Sequence, residues 1–193
     1  MKRNNRGFTL VELIVSIAIL GIIAVAVSSF LLAGTRSYTK VNYAVRLQYE
    51  TQLAMNQIQS YVMNCSRGIA WDGSKLYVDG SGTDDTALKE ISYDAANKKL
   101  LLGSGTASEA GIQTTALNLM AEHVTGLTVE FNQSLSSNVK TATAQWVKIT
   151  LTMESGGRSY TGEQTIALRN KPLCSQSWSD LWKELNKTPS EGN

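Results

Sequence analysis

The sequence is poor in the residues on which enzyme sites depend. Its only histidine is His123, and no serine, cysteine or carboxylate stands at a catalytic spacing from it. We therefore predict that His123 is a structural or surface residue, that the chain is not an enzyme and that it needs no cofactor. Asp79, Asp84 and Asp85 occur close together, but the alternating oxygen ligands and closing glutamate of an EF-hand are missing. We expect these acids to be solvated in a loop, with no metal site.

Cysteine is scarce as well. The chain has only two cysteines, Cys65 and Cys174. A disulfide between them is one alternative, because disulfides form readily in proteins outside the cytoplasm. Two buried, unpaired thiols are the other alternative, and the sequence leaves both open.

Charged residues are absent from the stretch Leu13 to Ala33. At about 1.5 Å per helical residue, this stretch spans the ~30 Å hydrocarbon core of a bilayer. Three bases and no acid precede it, at Lys2, Arg3 and Arg6, which favours a cytoplasmic N-terminus under the positive-inside rule. An ordinary secretory signal peptide has a shorter apolar core of roughly 7–15 residues and a small-residue cleavage site after it. The sequence therefore predicts a single membrane-spanning helix with the bulk of the chain outside the cytoplasm.

The net charge of the whole chain is +2, but without residues 1–7 it is −1. The basic excess therefore belongs to the extreme N-terminus and does not indicate a nucleic-acid partner. The sequence also lacks a stripe of interleaved basic and aromatic residues, which is typical of nucleic-acid binding.

The most informative string is Gly7-Phe8-Thr9-Leu10-Val11-Glu12, between the basic residues and the apolar run. A cut between Gly7 and Phe8 would remove the bases and leave the apolar helix on the mature chain. Glu12 would then be the fifth residue, inside an apolar segment where a mid-bilayer carboxylate costs roughly 2.5–3.5 kcal/mol. Glu12 either snorkels to the membrane boundary or pairs with the α-amino group released at Phe8, on its own chain or on a neighbour. Such pairing would set the axial register of packed helices.

These residues carry a resemblance to a known family. The string MKRNNRGFTLVELIVSIAILGIIAV resembles the class III signal of type IV pilins and type II secretion pseudopilins, over roughly residues 1–35. The resemblance implies that a prepilin peptidase cleaves after Gly7 and methylates the new N-terminus at Phe8. It also implies that Glu12 supports the assembly of subunits into a filament.

One departure from the family pattern bears on the kind of subunit. Major pilins often carry a proline at the position of Ser29, where the helix melts in the filament, but this sequence has no proline before Pro172. Local melting would have to use Gly21, Ser28-Ser29 or Gly34. The departure favours a minor pilin or a pseudopilin over a major pilin.

Downstream of the apolar run, residues 36–67 have the pattern of a continued helix. Its apolar stripe has three- and four-residue spacing and comprises Leu47, Thr51, Ala54, Met55, Ile58, Val62 and Cys65. Gly68 is the predicted C-terminal cap. The pattern then changes to period two, which predicts strands at 76–78, 91–93, 99–102, 127–131, 146–154 and around 164–169. The predicted fold class is α+β, a long helix packed on an antiparallel sheet, as in type IV pilins.

The C-terminal segment contains a second helical pattern. Trp178, Leu181, Trp182 and Leu185 follow the candidate N-cap Ser177 at helical spacing. This short amphipathic helix either docks on the sheet of its own domain or uses Trp178 and Trp182 to contact a partner subunit.

The predicted organisation has five parts. Residues 1–7 are a cleaved leader, 8–35 a transmembrane and filament-core helix, 36–67 its amphipathic continuation, 68–171 an antiparallel sheet domain, and 172–193 a tail with a short helix.

The leading functional hypothesis is a structural subunit that leaves the cytoplasmic membrane to join a surface filament. Its expected partners are the prepilin peptidase, other pilin or pseudopilin subunits, the assembly platform in the cytoplasmic membrane and, before assembly, the membrane itself. The alternative is an exported binding or enzymatic domain held by an uncleaved signal anchor. The sequence leaves open whether the filament serves adhesion or twitching, type II secretion or DNA uptake.

Overall fold

The computed structural model describes residues 9–80, 88–109, 111–133, 135 and 139–187. Two of the acids predicted to be solvated, Asp84 and Asp85, lie outside the described residues. The chain divides into two compact units, residues 1–42 and residues 43–193. Among the described residues, the first unit contains the N-terminal part of one long helix, α1 (Leu10–Met63), and the second contains the rest of α1, ten strands and a short helix.

The strands of the second unit form two sheets. In chain order they are β1 (Cys65–Trp71), β2 (Lys75–Gly80), β3 (Leu88–Asp94), β4 (Lys99–Ser108), β5 (Gly111–Ala121), β6 (Val124–Phe131), β7 (Thr141–Thr143), β8 (Trp146–Ser155), β9 (Arg158–Ala167) and β10 (Leu173–Ser175). The larger sheet has the order β5-β4-β3-β2-β1-β10-β7, and the smaller has the order β6-β8-β9. All neighbours pair antiparallel except β1 and β10, which are parallel. Helix α2 (Trp178–Leu185) follows β10.

Within the second unit, α1 buries one stripe against the sheets. The buried residues of α1 are Leu47, Thr51, Ala54, Met55, Ile58 and Val62, which confirms six members of the predicted stripe. All of them except Thr51 join one core cluster with inward-facing residues of both sheets, including Ile69 of β1 and Ile149 and Met153 of β8. The predicted fold class, a long helix with antiparallel-rich sheets, is therefore confirmed.

The end of α1 differs from the prediction. The helix stops at Met63, where Asn64 donates its backbone N–H to Tyr61 O at 3.2 Å and its side-chain amide to Ser60 O at 2.8 Å. Cys65 begins β1 and is not the last helical residue of the stripe. Gly68 lies within β1 and is not a helix cap, because it pairs with Asp79 of β2 and Leu173 of β10.

Several features of the sheets were not predicted. The sequence patterns missed β1, β5, β7 and β10, and they predicted a single sheet without a parallel pair. The strand expected around residues 164–169 begins earlier, since β9 runs from Arg158 to Ala167. Strand β10 places part of the predicted tail inside the larger sheet, between β1 and β7.

Helix α1 and strand β9 approach each other closely at Gly162. A Cβ atom added there would lie 2.8 Å from Cγ2 of Thr51. Thr51 has little freedom to move away, because its hydroxyl donates to Leu47 O at 2.7 Å and contacts Met153 Sδ at 3.0 Å. The absence of a side chain at Gly162 therefore allows the helix to pack on the smaller sheet.

We predict that Gly162→Ala lowers the free energy of unfolding by about 1–3 kcal/mol, the range for overpacking a core. The matched control is Gly126→Ala on β6, where an added Cβ would meet its nearest atom at an ordinary 3.7 Å. Urea unfolding of the full-length chain in mild detergent, followed by tryptophan fluorescence, measures both variants. Equal stability of the two variants would contradict the packing role of Gly162.

Candidate functional site

Helix α1 begins with a reciprocal hydrogen-bonded cap between Thr9 and Glu12. The Glu12 N–H donates to Thr9 Oγ1 at 3.3 Å, and the Thr9 N–H donates to Glu12 Oε2 at 3.2 Å. The Thr9 hydroxyl also lies 3.1 Å from the same carboxylate oxygen, to which it donates. This is a capping box, which satisfies backbone donors that the first helical turn leaves unpaired.

Sequence reasoning missed Thr9, although the signal was present. A threonine followed three residues later by glutamate, directly before an apolar run, is the sequence signature of a capping box. The negative charge of Glu12 also suits this position, because the N-terminal end of a helix carries a partial positive charge. Glu12 therefore has a local structural partner in addition to any partner in assembly.

Among the described residues, no cation lies within ion-pair distance of Glu12. Its described side-chain bonds come from Thr9 alone, and both reach Oε2. Gly7 and Phe8, the residues of the predicted cut, lie outside the described residues. Pairing between Glu12 and an α-amino group at Phe8 therefore stays a prediction.

The N-terminal part of α1 exposes its apolar side chains on every face. All the large apolar residues from Leu10 to Leu32 are at least half exposed, and Phe30 reaches 77%. Of the helices that the structure describes, α1 is the one long and apolar enough to cross a membrane by length and composition. An apolar surface of this extent needs an apolar environment, either lipid or other helices.

The few polar side chains in this part of α1 are satisfied within the helix itself. The hydroxyls of Ser16, Ser28 and Ser29 donate to backbone carbonyls four residues earlier, at 2.7, 2.8 and 2.9 Å. Such internal bonding suits a helix that lies among apolar groups, where water is not available as a partner. The helix is continuous through Ser29, the position at which major pilins often have proline.

Comparison with known families gives a match at this end of the chain. The model of the prokaryotic N-terminal methylation motif matches residues 2–34. A search of curated proteins found no match. The chain therefore carries the prepilin motif of type IV pilins and pseudopilins, as the sequence predicted. Proteins with this motif are typically structural subunits, cut by a prepilin peptidase and assembled with other pilins.

The single histidine, His123, lies in a turn between two strands. His123 is exposed in the turn between β5 and β6, with a left-handed backbone at φ 63°, and its carbonyl accepts the Glu154 N–H at 2.8 Å. Within the described residues, no group of three or more histidines, cysteines or acids is arranged to hold a metal ion.

Asp79 corrects one expectation, because it is buried in β2 and not solvated in a loop. Burial raises the pKa of its carboxyl above the usual range, and the Arg67 guanidinium, at 3.5 Å, offsets part of that rise. The ion pair with Arg67 explains how a carboxylate is tolerated at this position, since a buried charge without a partner is costly.

Both cysteines are buried in the larger sheet and are not joined in the structure. The Cys65 thiol lies 3.1 Å from Gly68 O and 3.4 Å from Asp79 O, to which it can donate. Burial raises the pKa of Cys65 to about 12, with a further contribution from the nearby Asp79 carboxylate. Burial also raises the pKa of Cys174. A disulfide between the two stays a prediction.

Helix α2 docks on the larger sheet of its own domain. Trp178 is only 4% exposed, its ring centroid lies 5.2 Å from that of Tyr77, and its Nε1–H donates to Ser108 O at 2.8 Å. Leu181 is fully buried, and a Cβ added at Gly68 would lie 2.9 Å from its Cδ2. The surface of Trp178 is therefore occupied within the domain. Contact of the partly exposed Trp182 with a partner subunit stays a prediction.

We predict that neither cysteine of the folded chain reacts with iodoacetamide at pH 8, because a buried thiol with a raised pKa holds almost no thiolate. Guanidinium without reductant should then allow both thiols to be alkylated, which intact mass measures as two adducts.

The same experiment separates the alternatives for the cysteines. If alkylation of the unfolded chain occurs only after reduction, Cys65 and Cys174 form a disulfide. Rapid alkylation of the folded chain would contradict the burial of these thiols.

Proposed function

We propose that this chain is a minor pilin or pseudopilin, a structural subunit of a type IV pilus-like filament. A prepilin peptidase cuts it between Gly7 and Phe8 and methylates Phe8, and the subunit then assembles through α1. The observation that carries this proposal is the methylation motif at residues 2–34, which includes the part of α1 whose apolar side chains are exposed on every face.

The physics of the cut supports this function. Residues 1–7 contain Lys2, Arg3 and Arg6, which hold the N-terminus of the precursor at the cytoplasmic surface of the membrane. Once they are removed, α1 passes from lipid to a bundle of similar helices, and its surroundings remain apolar throughout. Because lipid tails are as apolar as leucine, the balance between the helix in lipid and the helix in the bundle depends on packing and polar pairing. Glu12 supplies the polar pairing.

Three features favour a minor subunit over a major pilin. The helix has serine in place of the proline at residue 29, and it is continuous there. The second unit carries two sheets, which is a large domain for a subunit of this kind. It also has α2 docked on the outer face of the larger sheet.

In this proposal, the precursor spans the cytoplasmic membrane with its N-terminus inside, and an assembly platform in that membrane passes it to the filament. The domain then faces the exterior. The proposal includes no enzymatic activity and no cofactor. The choice among adhesive or twitching pili, a type II secretion pseudopilus and a DNA-uptake pilus stays open.

The proposal predicts a defined change of mass. Co-expression with a prepilin peptidase should remove residues 1–7 and add one methyl group to Phe8, and intact mass spectrometry measures both. The control is co-expression with an inactive variant of the same peptidase. A chain that remains uncut would support the alternative, an exported domain held by its signal anchor.

A second prediction concerns Glu12. We expect Glu12→Ala to leave cleavage intact but to remove the subunit from filaments, because the α-amino group then has no carboxylate partner. Immunoblots of cut protein in cells and in sheared filaments measure the two steps separately.

The matched control for this prediction is Glu50→Ala, farther along α1, which removes an ion pair with Arg46 at 2.7 Å in which Arg46 is exposed and Glu50 is partly exposed. Ion pairs at the protein surface contribute little to stability, about 0–1 kcal/mol. Normal incorporation of Glu12→Ala into filaments would refute the role of Glu12 in assembly.

A further inference from the structure

We propose that Thr9 is a positioning residue for Glu12, and that it presents the carboxylate toward the N-terminus for assembly. The proposal rests on the proposed function in one respect, namely that Glu12 acts in assembly. Its basis is the set of three bonds between the two residues, at 3.1, 3.2 and 3.3 Å.

The Thr9 hydroxyl has two roles in this arrangement. It accepts the Glu12 N–H and donates to Glu12 Oε2, so one group fixes both the backbone and the side chain of Glu12. With the Thr9 N–H as second donor, the carboxylate receives two hydrogen bonds. Glu12 cannot turn away from the N-terminus without losing both.

These bonds matter most where water is absent. An ionised carboxylate among apolar groups is strongly destabilised unless it is hydrogen-bonded, and bonds to a charged acceptor are about twice as strong as neutral ones. The Thr9 donors therefore stabilise Glu12 in the precursor, before the cut has produced any α-amino group. No other described side chain donates to this carboxylate.

The same bonds determine where the carboxylate lies after the cut. Thr9 is the residue next to Phe8, so the bonded carboxylate is held beside the backbone N–H that follows the new N-terminus. Both described bonds reach Oε2, and no described residue donates to Oε1, which can accept a bond from an amine. Thr9 thus holds the Glu12 carboxylate in position for a cationic partner, and the carboxylate keeps its negative charge.

A purely structural role for Thr9 is the competing explanation, since threonine is a good N-cap of helices. Thr9→Asp separates the two roles. Aspartate is also a preferred N-cap and accepts the Glu12 N–H, but it has no hydroxyl donor and places a second negative charge against Glu12. Thr9→Val removes both the acceptor for the Glu12 N–H and the hydroxyl donor to the carboxylate, and Thr9→Ser retains both.

The first measurement is amide hydrogen exchange of the uncut, full-length precursor in detergent micelles. We expect the Glu12 amide to exchange about fivefold faster in Thr9→Val, the equivalent of about 1 kcal/mol for a lost cap, and at the wild-type rate in Thr9→Ser and Thr9→Asp. The control is Thr39→Val, the same change on the same helix, where the hydroxyl donates to Thr35 O at 2.9 Å.

The second measurement is the filament fraction per cut subunit. We expect at least tenfold less incorporation for Thr9→Val and Thr9→Asp, and normal incorporation for Thr9→Ser and Thr39→Val. Wild-type incorporation of Thr9→Asp would overturn the proposal and leave Thr9 as a helix cap only. Unchanged exchange of the Glu12 amide in Thr9→Val would overturn the bonding itself.

Different observations would show that the proposed function itself is wrong. A wild-type chain that remains uncut, or Glu12→Ala subunits that assemble normally, would refute the role in the filament. The exchange experiment needs neither peptidase nor filament, so its outcome is independent of that failure.

Discussion

The structure depends first on the apolar surface of α1 between Leu10 and Leu32. Side chains that are at least half exposed over this length need an environment without water, and the helix meets that condition by leaving no polar side chain unpaired. The hydroxyls bond to the backbone of the preceding turn, and the carboxylate of Glu12 bonds to Thr9. The segment is therefore suited to lipid and to a helix bundle alike, which fits the prepilin motif at residues 2–34.

The rest of α1 meets a different constraint. Its buried stripe from Leu47 to Val62 packs within the second unit and gives both sheets a common core. The close contact of Thr51 with Gly162 places the helix on β9, and Gln164 donates to Gln59 Oε1 at 2.7 Å farther along the same strand. One helix thus combines a part with exposed apolar side chains and an amphipathic part that packs within the second unit.

Much of this architecture follows from periodicity in the sequence. The stripe of α1 was predicted residue by residue, because one face is buried and the other is wet. Strand β8 was predicted for the same reason: Val147, Ile149, Leu151 and Met153 are fully buried and alternate with more exposed residues. Where one face of a helix or strand is buried and the other is exposed to solvent, the spacing of apolar residues predicts that helix or strand.

Strands without that contrast were missed. Ile69 and Ala70 are neighbours in β1 and both are fully buried, since one joins the core under α1 and the other packs under α2. A strand covered on both faces shows no alternation. Strand β10 has three residues and depends on its partners β1 and β7, which are distant in sequence. Thr9 was missed for another reason: the charge of Glu12 indicated a charged partner, whereas its described partner is the neutral Thr9.

The carboxylates of the chain differ in the partners that the structure gives them. In the second unit, the buried acids have cations from their own sheet: Asp79 lies 3.5 Å from Arg67, and Glu90 lies 2.9 Å from Lys75. Within the described residues, Glu12 has only the neutral donors of Thr9, although it lies among the exposed apolar side chains of α1. A folded domain that is stable alone pairs its buried charges internally. A carboxylate that has only neutral donors, four residues after the α-amino group that the proposed cut would create at Phe8, is suited to a partner that processing supplies.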